Sequence, residues 1–357
     1  MIICVIGTRA QLIKMAPVLR ELERRDLPFV FYLTGQHETT IDDLIAEFGI
    51  RTIPIRLARQ EVAGLFTMAV WVPLTVIRLL RVWPVLPRET RTIVLTHGDT
   101  FTTVIAALVG RLKGARVAHV EAGLRSFNLL HPFPEELTRL AVFRLSDVSF
   151  CPNDWAARNM AGHATDVVNT QGNTLIDALG FACSKDSGVR AAAEPYGIVS
   201  IHRFENIFNR KRLRKLVDLL EMASEKARLI FVLHPATRNK LARHGLLDIL
   251  RQMNGVSLVD RMGYVRFVAL LRSAHFVITD GGSNQEELSY LGVPAFLMRR
   301  KTERPEGLGE NIVLGDYSEA ALRRFLAELA VLKKPASPRA GSPSAVVADY
   351  LVEHGYA

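Results

Sequence analysis

Between His97 and Glu136 acidic residues fall at only three places: Asp99, Glu121 and the adjacent pair Glu135 and Glu136. Asp99 follows the apolar run Thr92 to Leu95, and Glu121 follows Val117 to Val120. Each carboxylate is therefore expected just past the C-terminal end of a buried parallel strand, where open α/β sheets bind ligands. Carboxylates gathered there suit general acid and base work, because neighbouring like charges push their proton affinities apart and keep one group protonated beside an ionised one. An acid at a strand end also serves as a turn former or helix cap, the simpler explanation for any one of them. Repetition over two successive strand ends favours a site.

Cations and phosphate-binding turns are found in other segments. Ile2 to Ile6 reads as a buried strand, Gly7 as a turn, and the next segment as an amphipathic helix with Leu12, Met15, Ala16, Leu19 and Leu22 on one stripe. Such a unit aims helix N-terminal amides at an anion, and Arg9 and Lys14 flank the place where it would sit. No G-x-G-x-x-G is present, so a dinucleotide is not implied. Pro17, inside the helix pattern, is expected to remove a hydrogen bond or bend the helix. Phe29 to Leu33 is a second strand, leading to Gln36 and His37. In IHRFEN, His202 and Arg203 follow a strand end, where an imidazole and a guanidinium suit a diphosphate as well as a capped loop. In TDGGSNQEE, Gly282 and Ser283 open a helix as a phosphate cradle. Glu287 lies one helical turn in; it would repel phosphate and suits ribose hydroxyls better.

The elements that must carry these residues alternate in type along both halves. The first half continues with a helix at Leu137 to Leu145, a strand at Val148 to Cys151, a helix at Asp154 to Met160 and a strand at Val167 to Asn169 leading into GNTLIDAL. Apolar periodicity is lost near Ser184 to Glu194, which marks a linker. The second half repeats the pattern with strands at Ile198 to Ile201, Leu229 to Leu233, Val256 to Leu258, Phe276 to Thr279 and Ala295 to Met298. The helices between them begin at Asn209, after Leu233, at Tyr264 and at Ser283. The basic run Asn209 to Lys215 is read as a solvated helix face. Two doubly wound α/β domains facing each other across a cleft are expected. ASPRAGSP, Ala336 to Pro343, is a second linker before a short amphipathic helix.

At 357 residues, 49% of them hydrophobic, the chain is long enough for two ordinary domains. A formal net charge of +9 favours anionic partners, but the basic residues are scattered and no aromatics interleave them, which argues against nucleic acid. Cys4, Cys151 and Cys183 fit neither a disulfide framework nor a zinc spacing, as in a reducing cytoplasm. The N-terminal apolar run lacks a preceding basic region and is read as a strand rather than a signal peptide. Val62 to Ile77 carries no charge over sixteen residues, contains Trp71 and Pro73, and is followed by Arg78, Arg81 and Trp83. It is too short to span a bilayer. A buried or dimer-forming helix pair is the favoured reading, and peripheral membrane contact through residues 62–86 is the alternative.

Taken together, GTRxxxIKMAP, TGQHE, HGDT, HVEAGLR, PFPEE, GNTLIDAL, HRFEN, QEE, LGVP and TERPE, in order from residue 1 to about residue 315, resemble the bacterial non-hydrolysing UDP-N-acetylglucosamine 2-epimerases. The resemblance implies a GT-B-like fold of two Rossmann-like domains with the nucleotide sugar in the interdomain cleft. It implies epimerisation at C2 of a UDP-N-acetyl hexosamine, UDP-GlcNAc to UDP-ManNAc, by elimination of UDP to a glycal and re-addition from the other face. No cofactor is implied, neither metal nor nicotinamide. The expected catalytic groups are Asp99, Glu121 and Glu135, with His202 assisting diphosphate departure; which carboxylate abstracts and which returns the proton stays open. Arg9, Lys14 and Arg139 resemble phosphate-side cations, Arg203 joins the substrate-binding set, and Glu287 resembles a ribose ligand. Two loops depart from the family: Ala10 and Gln11 stand where Pro-Glu is usual, and Gly281, Gly282 and Ser283 where Ser-Gly-Gly is usual.

The expected organisation is a first domain over 1–183, a linker over 184–195, a nucleotide-binding domain over 196–335, and a helix over 344–357 docking on the first domain. A cytoplasmic homodimer making precursors of cell-surface polysaccharide is expected, with membrane association as the alternative. Competing functions are a GT-B glycosyltransferase near the membrane, a hydrolysing epimerase and a non-catalytic nucleotide-sugar sensor.

Overall fold

The computed structural model describes residues 1–35, 41–58, 65–85, 87, 89–129, 134–189, 194–336 and 341–356. The strand end at Gln36 and His37 lies outside them. Two compact units are formed, one from Met1–Phe181 with Arg339–Ala357 and the other from Ala182–Pro338.

In the first unit the order is β1 (Ile2–Ile6), α1 (Arg9–Arg24), β2 (Phe29–Leu33), α2 (Ile41–Phe48), β3 (Ile55–Arg56), α3 (Leu65–Val82), β4 (Ile93–His97), α4 (Phe101–Leu112), β5 (Arg116–Val120), α5 (Glu135–Leu145), β6 (Val148–Cys151), α6 (Asp154–Asn159), β7 (Asp166–Asn169) and α7 (Leu175–Ser184). The strands form one sheet in the order β3-β2-β1-β4-β5-β6-β7, with every pairing parallel. Strands covered on both faces need no polar alternation, so β1 and β4 are buried at every position. The chain winds outward one way from β1 and the other way from β4, which makes their C-terminal ends the switch point where such sheets bind ligands.

The second unit contains β8 (Tyr196–Ser200), α8 (Phe204–Ile207), α9 (Arg210–Ser224), β9 (Arg228–Leu233), α10 (Pro235–Arg243), α11 (Leu246–Gln252), β10 (Val256–Asp260), α12 (Tyr264–Ser273), β11 (Phe276–Thr279), α13 (Gly282–Leu291), β12 (Ala295–Leu297), β13 (Ile312–Leu314), α14 (Glu319–Ala327) and α15 (Leu329–Leu332). Its parallel sheet runs β10-β9-β8-β11-β12-β13, with the switch between β8 and β11. Phe231, Phe276, Phe296 and Phe325 anchor its core. This is the GT-B-like architecture of two Rossmann-like units. The last helix, α16 (Pro343–Glu353), returns to the first unit. There Asp349 pairs with Arg25 at 2.6 Å, the Ser344 amide donates to Asp177 at 2.8 Å, and the Tyr350 hydroxyl donates to Asp166 at 3.0 Å.

Several local readings change. The described part of the apolar stretch, from Leu65, forms one helix, α3, rather than a pair, and it continues through Pro73. Trp71, Thr75 and Leu79, four residues apart, turn one stripe inward, where Trp71 and Leu79 join a core with Ile3, Tyr32 and Val94. Val70, Leu74, Ile77 and Val82 remain exposed. No helix among the described residues is long and apolar enough to cross a membrane. Pro17 sits buried inside an unbroken α1. The single helix expected after Leu233 is two, α10 and α11, divided at Gly245, whose φ of 68° ends the first. The three-residue edge strand β13 was not anticipated, since so short a run carries no period.

Candidate active site

The first unit's site begins with the turn between β1 and α1. Thr8 caps α1 and Gln11 completes a capping box. The Gln11 carbonyl oxygen accepts from the Gly7 and Thr8 amides at 2.9 and 3.1 Å, while its amide nitrogen donates to the His97 carbonyl at 2.7 Å and to Thr103 at 3.1 Å. One side chain thus fastens the start of α1 to the end of β4. Gly7 is needed here, since a Cβ would lie 2.0 Å from Thr102 Oγ1.

That anchoring turns Lys14, one turn further along α1, onto Glu121. The two form an ion pair whose side chains are 5% and 7% exposed. The same Glu121 Oε2 accepts from Asn173 Nδ2 at 2.7 Å and lies 3.2 Å from His97 Nε2. Glu121 reaches this position from a left-handed backbone, φ 64°, at the abrupt end of β5. Such a conformation in a non-glycine residue costs energy and persists where the surroundings hold it. The turn is completed by Gly123, φ 81°, where a Cβ would strike the Ala156 carbonyl at 2.1 Å.

Asp99, past the end of β4, pairs with Arg139 of α5. Arg139 also approaches Glu136 at 3.4 Å, and Glu136, fully buried, accepts from Arg125 at 2.5 Å and from the Ser126 amide at 2.9 Å. Thr138 donates to the Asp99 carbonyl and, at 2.8 Å, to that of Glu135. Glu135 therefore lies on the first turn of α5 beside the Asp99 strand end, while its neighbour is occupied in an internal ion network. Arg9 is buried near Asp43 and Glu47 of α2; burial lowers its proton affinity, and those two carboxylates partly restore it.

Burial dominates the imidazoles. It pushes His97 below the usual histidine range against the pull of Glu121, with Lys14 adding to the depression. His119 falls to about 4, mainly by burial, with Nε2 2.7 Å from the Gly98 carbonyl. For Glu136, burial acts upward but is outweighed by the Ser126 amide and by Arg125, and the carboxyl ends below its ordinary range.

In the second unit the switch point is organised by Asp280, fully buried after β11. It accepts from the His202 and Arg203 amides at 3.0 Å each and from Asn206 Nδ2 at 2.9 Å. His202 thus follows β8 with its ring beside the start of α13: a Cβ on Gly281 would lie 3.0 Å from His202 Cε1. Gly282 opens α13 and admits Arg304, whose Nε would be 3.1 Å from a Cβ there. Ser283 follows it in the first turn. Arg304 pairs with Glu286 at 2.5 Å and Arg299 with Glu303 at 2.7 Å, while Arg203 lies 3.5 Å from Glu303. Glu287 is buried, accepting from the Tyr264 hydroxyl at 3.0 Å and from Asn284 at 2.9 Å.

Within the first unit, Lys14 with Glu121 and Asp99 with Arg139 are brought together, and Glu135 is placed beside Asp99; within the second, His202 and Arg203 at the end of β8 meet Gly282 at the end of the adjacent β11. His97, Asn173, Asp280 and Arg304 join these clusters without having been singled out from the sequence, and Gln11 braces the first of them. His97 and Asn173 stood in quoted motifs, HGDT and GNTLIDAL, but neither spacing reveals that both face one carboxylate.

Two doubly wound parallel units, each with charged groups at its switch point, define a GT-B-like α/β enzyme. A family model described as UDP-N-acetylglucosamine 2-epimerase matches residues 20–338. The UDP-N-acetylglucosamine 2-epimerase of Methanocaldococcus jannaschii is 32% identical over 336 residues, covering 89% of each chain. A crystal structure of the Methanocaldococcus jannaschii UDP-GlcNAc 2-epimerase in complex with UDP-GlcNAc and UDP is similar at a TM-score of 0.85 and 27% identity, covering 99% of each chain. The Neisseria meningitidis enzyme bound to UDP-GlcNAc matches at 0.84 and 25%, again over 99% of each. The chain belongs to the UDP-N-acetylglucosamine 2-epimerase family and is an isomerase.

Proposed function

We propose that this chain interconverts UDP-GlcNAc and UDP-ManNAc by inverting C2 of the sugar. One carboxylate at the first unit's switch point removes the C2 proton, the C1–O bond breaks with departure of UDP, and a glycal remains. UDP then adds back as a second group delivers a proton to the opposite face of C2. Asp99, Glu121 and Glu135 supply the acid and base, with Lys14 paired to Glu121 and Arg139 to Asp99. Arg9 lends further positive charge to the phosphate side. His202 and Arg203, with Gly282 and Ser283 at the start of α13, bind and stabilise the departing diphosphate, and Glu287 serves the ribose side.

The observation that carries this reading is the convergence of Lys14, Asn173 and His97 on Glu121 beside the Asp99–Arg139 pair. A carboxylate held by several donors in a buried strand-end turn is prepared for proton transfer rather than for solubility. The test is proton NMR of UDP-GlcNAc incubated with the chain and no acceptor. UDP-ManNAc should accumulate to a fixed ratio. Free N-acetylmannosamine with UDP would mean hydrolysis, and no change without a sugar acceptor would favour glycosyl transfer.

A further inference from the structure

We propose that His97 positions Glu121 and helps to hold it as a carboxylate, donating from Nε2 to Glu121 Oε2. The inference rests on the proposed role of Glu121 and adds a residue to it. His97 ends β4 and Glu121 follows β5, strands paired in register with His97 opposite Val120. The imidazole of the one therefore comes within 3.2 Å of the other, in ion-pair range though out of line for a full hydrogen bond. The His97 side chain is 4% exposed and neither ring nitrogen completes a hydrogen bond among the described residues, so a small turn of the ring toward Glu121 Oε2, 3.2 Å from Nε2, would satisfy a buried donor that is otherwise unmet.

The charged groups around the pair agree on one protonation pattern. Lys14 from α1 faces Glu121 and opposes a second positive charge on the imidazole, as burial does. Asp99 acts in the other direction, but it is engaged by Arg139 of α5. His119 of β5, itself held low by burial, adds no standing charge near neutral pH. His97 is then a neutral imidazole facing an ionised carboxylate, and the Nε2–H tautomer is the one that can donate to it. Asn173 supplies a second neutral donor to the same oxygen at 2.7 Å.

The experiment pairs kinetics with a measurement that needs no activity. His97→Ala should lower kcat for UDP-GlcNAc epimerisation by about 10²-fold, the scale of a misplaced catalytic group, with KM little changed. The acidic limb of its kcat/KM profile should move to higher pH, because the ionised carboxylate has lost a donor. His97→Gln, which keeps an N–H donor, should return the limb toward its original position. Variants that both keep the wild-type limb would overturn the proposal, whatever their thermal stability. In 15N-labelled wild-type protein, imidazole nitrogen shifts at neutral pH should report the Nε2–H tautomer. An Nδ1–H tautomer or an imidazolium would overturn the proposal even in a fully active enzyme. The expected tautomer in a protein that does not epimerise would support the His97–Glu121 contact and refute the proposed reaction instead.

Discussion

Replacing Lys14 by Met removes a charge at nearly constant length and leaves Glu121 in place with its side chain 7% exposed. Breaking one partner from a buried ion pair costs about 3–5 kcal/mol, because the remaining charge stays desolvated. Asn173 at 2.7 Å and His97 at 3.2 Å still face the carboxylate, which puts the expected loss at the low end, about 3 kcal/mol. For a unit of this size that is about 6–12 °C in the melting temperature. The sign of the pH dependence follows from the same burial. Without Lys14 the folded state favours protonated Glu121 more than the unfolded chain does, so the variant regains stability as pH falls through the carboxylate range. Thermal melts of wild type, Lys14→Met, Glu121→Gln and the double variant, followed between pH 8 and about pH 5, measure both effects. The double variant should be more stable at pH 8 than Lys14→Met alone. A pH-independent deficit, or a double variant no better than the single, would refute the idea that Lys14 neutralises a buried Glu121.

Three further expectations concern the surrounding frame. Gly123→Ala should destabilise the first unit by more than the roughly 1–3 kcal/mol of its left-handed backbone alone, since the new Cβ would also overlap the Ala156 carbonyl; chemical denaturation measures it. Asp280→Asn turns an amide toward one of three donors that now face a carboxylate, and should cost about 1–3 kcal/mol. The same change should lower kcat by displacing His202; unchanged kinetics would detach His202 from the reaction. Glu136, held below its ordinary range, contributes stability that is complete above the unfolded glutamate range and is lost as pH falls through its lowered folded value. Glu136→Gln should therefore flatten the acid side of the stability profile, which acid titration followed by circular dichroism would detect.

Much of the frame was legible because parallel strands covered on both faces read as unbroken apolar runs. Ile2 to Ile6 was located to the residue, and the turn residues after several strands pointed to the right ends of the sheets. The Lys14–Glu121 pair was not legible. It joins residues far apart in sequence and depends on the sheet order, with β1 beside β4 and β4 beside β5, which local patterns do not encode. Gln11 looked like an altered phosphate loop; its amide is a strut between α1 and β4, using donors and acceptors that only the assembled turn provides. The apolar stretch around Trp71 misled in a different way. Its lack of charge suggested two buried helices, but one face of a single helix is core and the other is exposed.

The central claim is proton removal and return at C2 by the Glu121 cluster. It is tested most directly by running the reaction in deuterium oxide and following the sugar C2 position by NMR and mass spectrometry. Wild-type protein should form UDP-ManNAc carrying deuterium at C2 and, on longer incubation, place deuterium in recovered UDP-GlcNAc, while Glu121→Gln should do neither at a comparable rate. Product that retains the original C2 hydrogen, or full exchange in the Glu121→Gln variant, would contradict it.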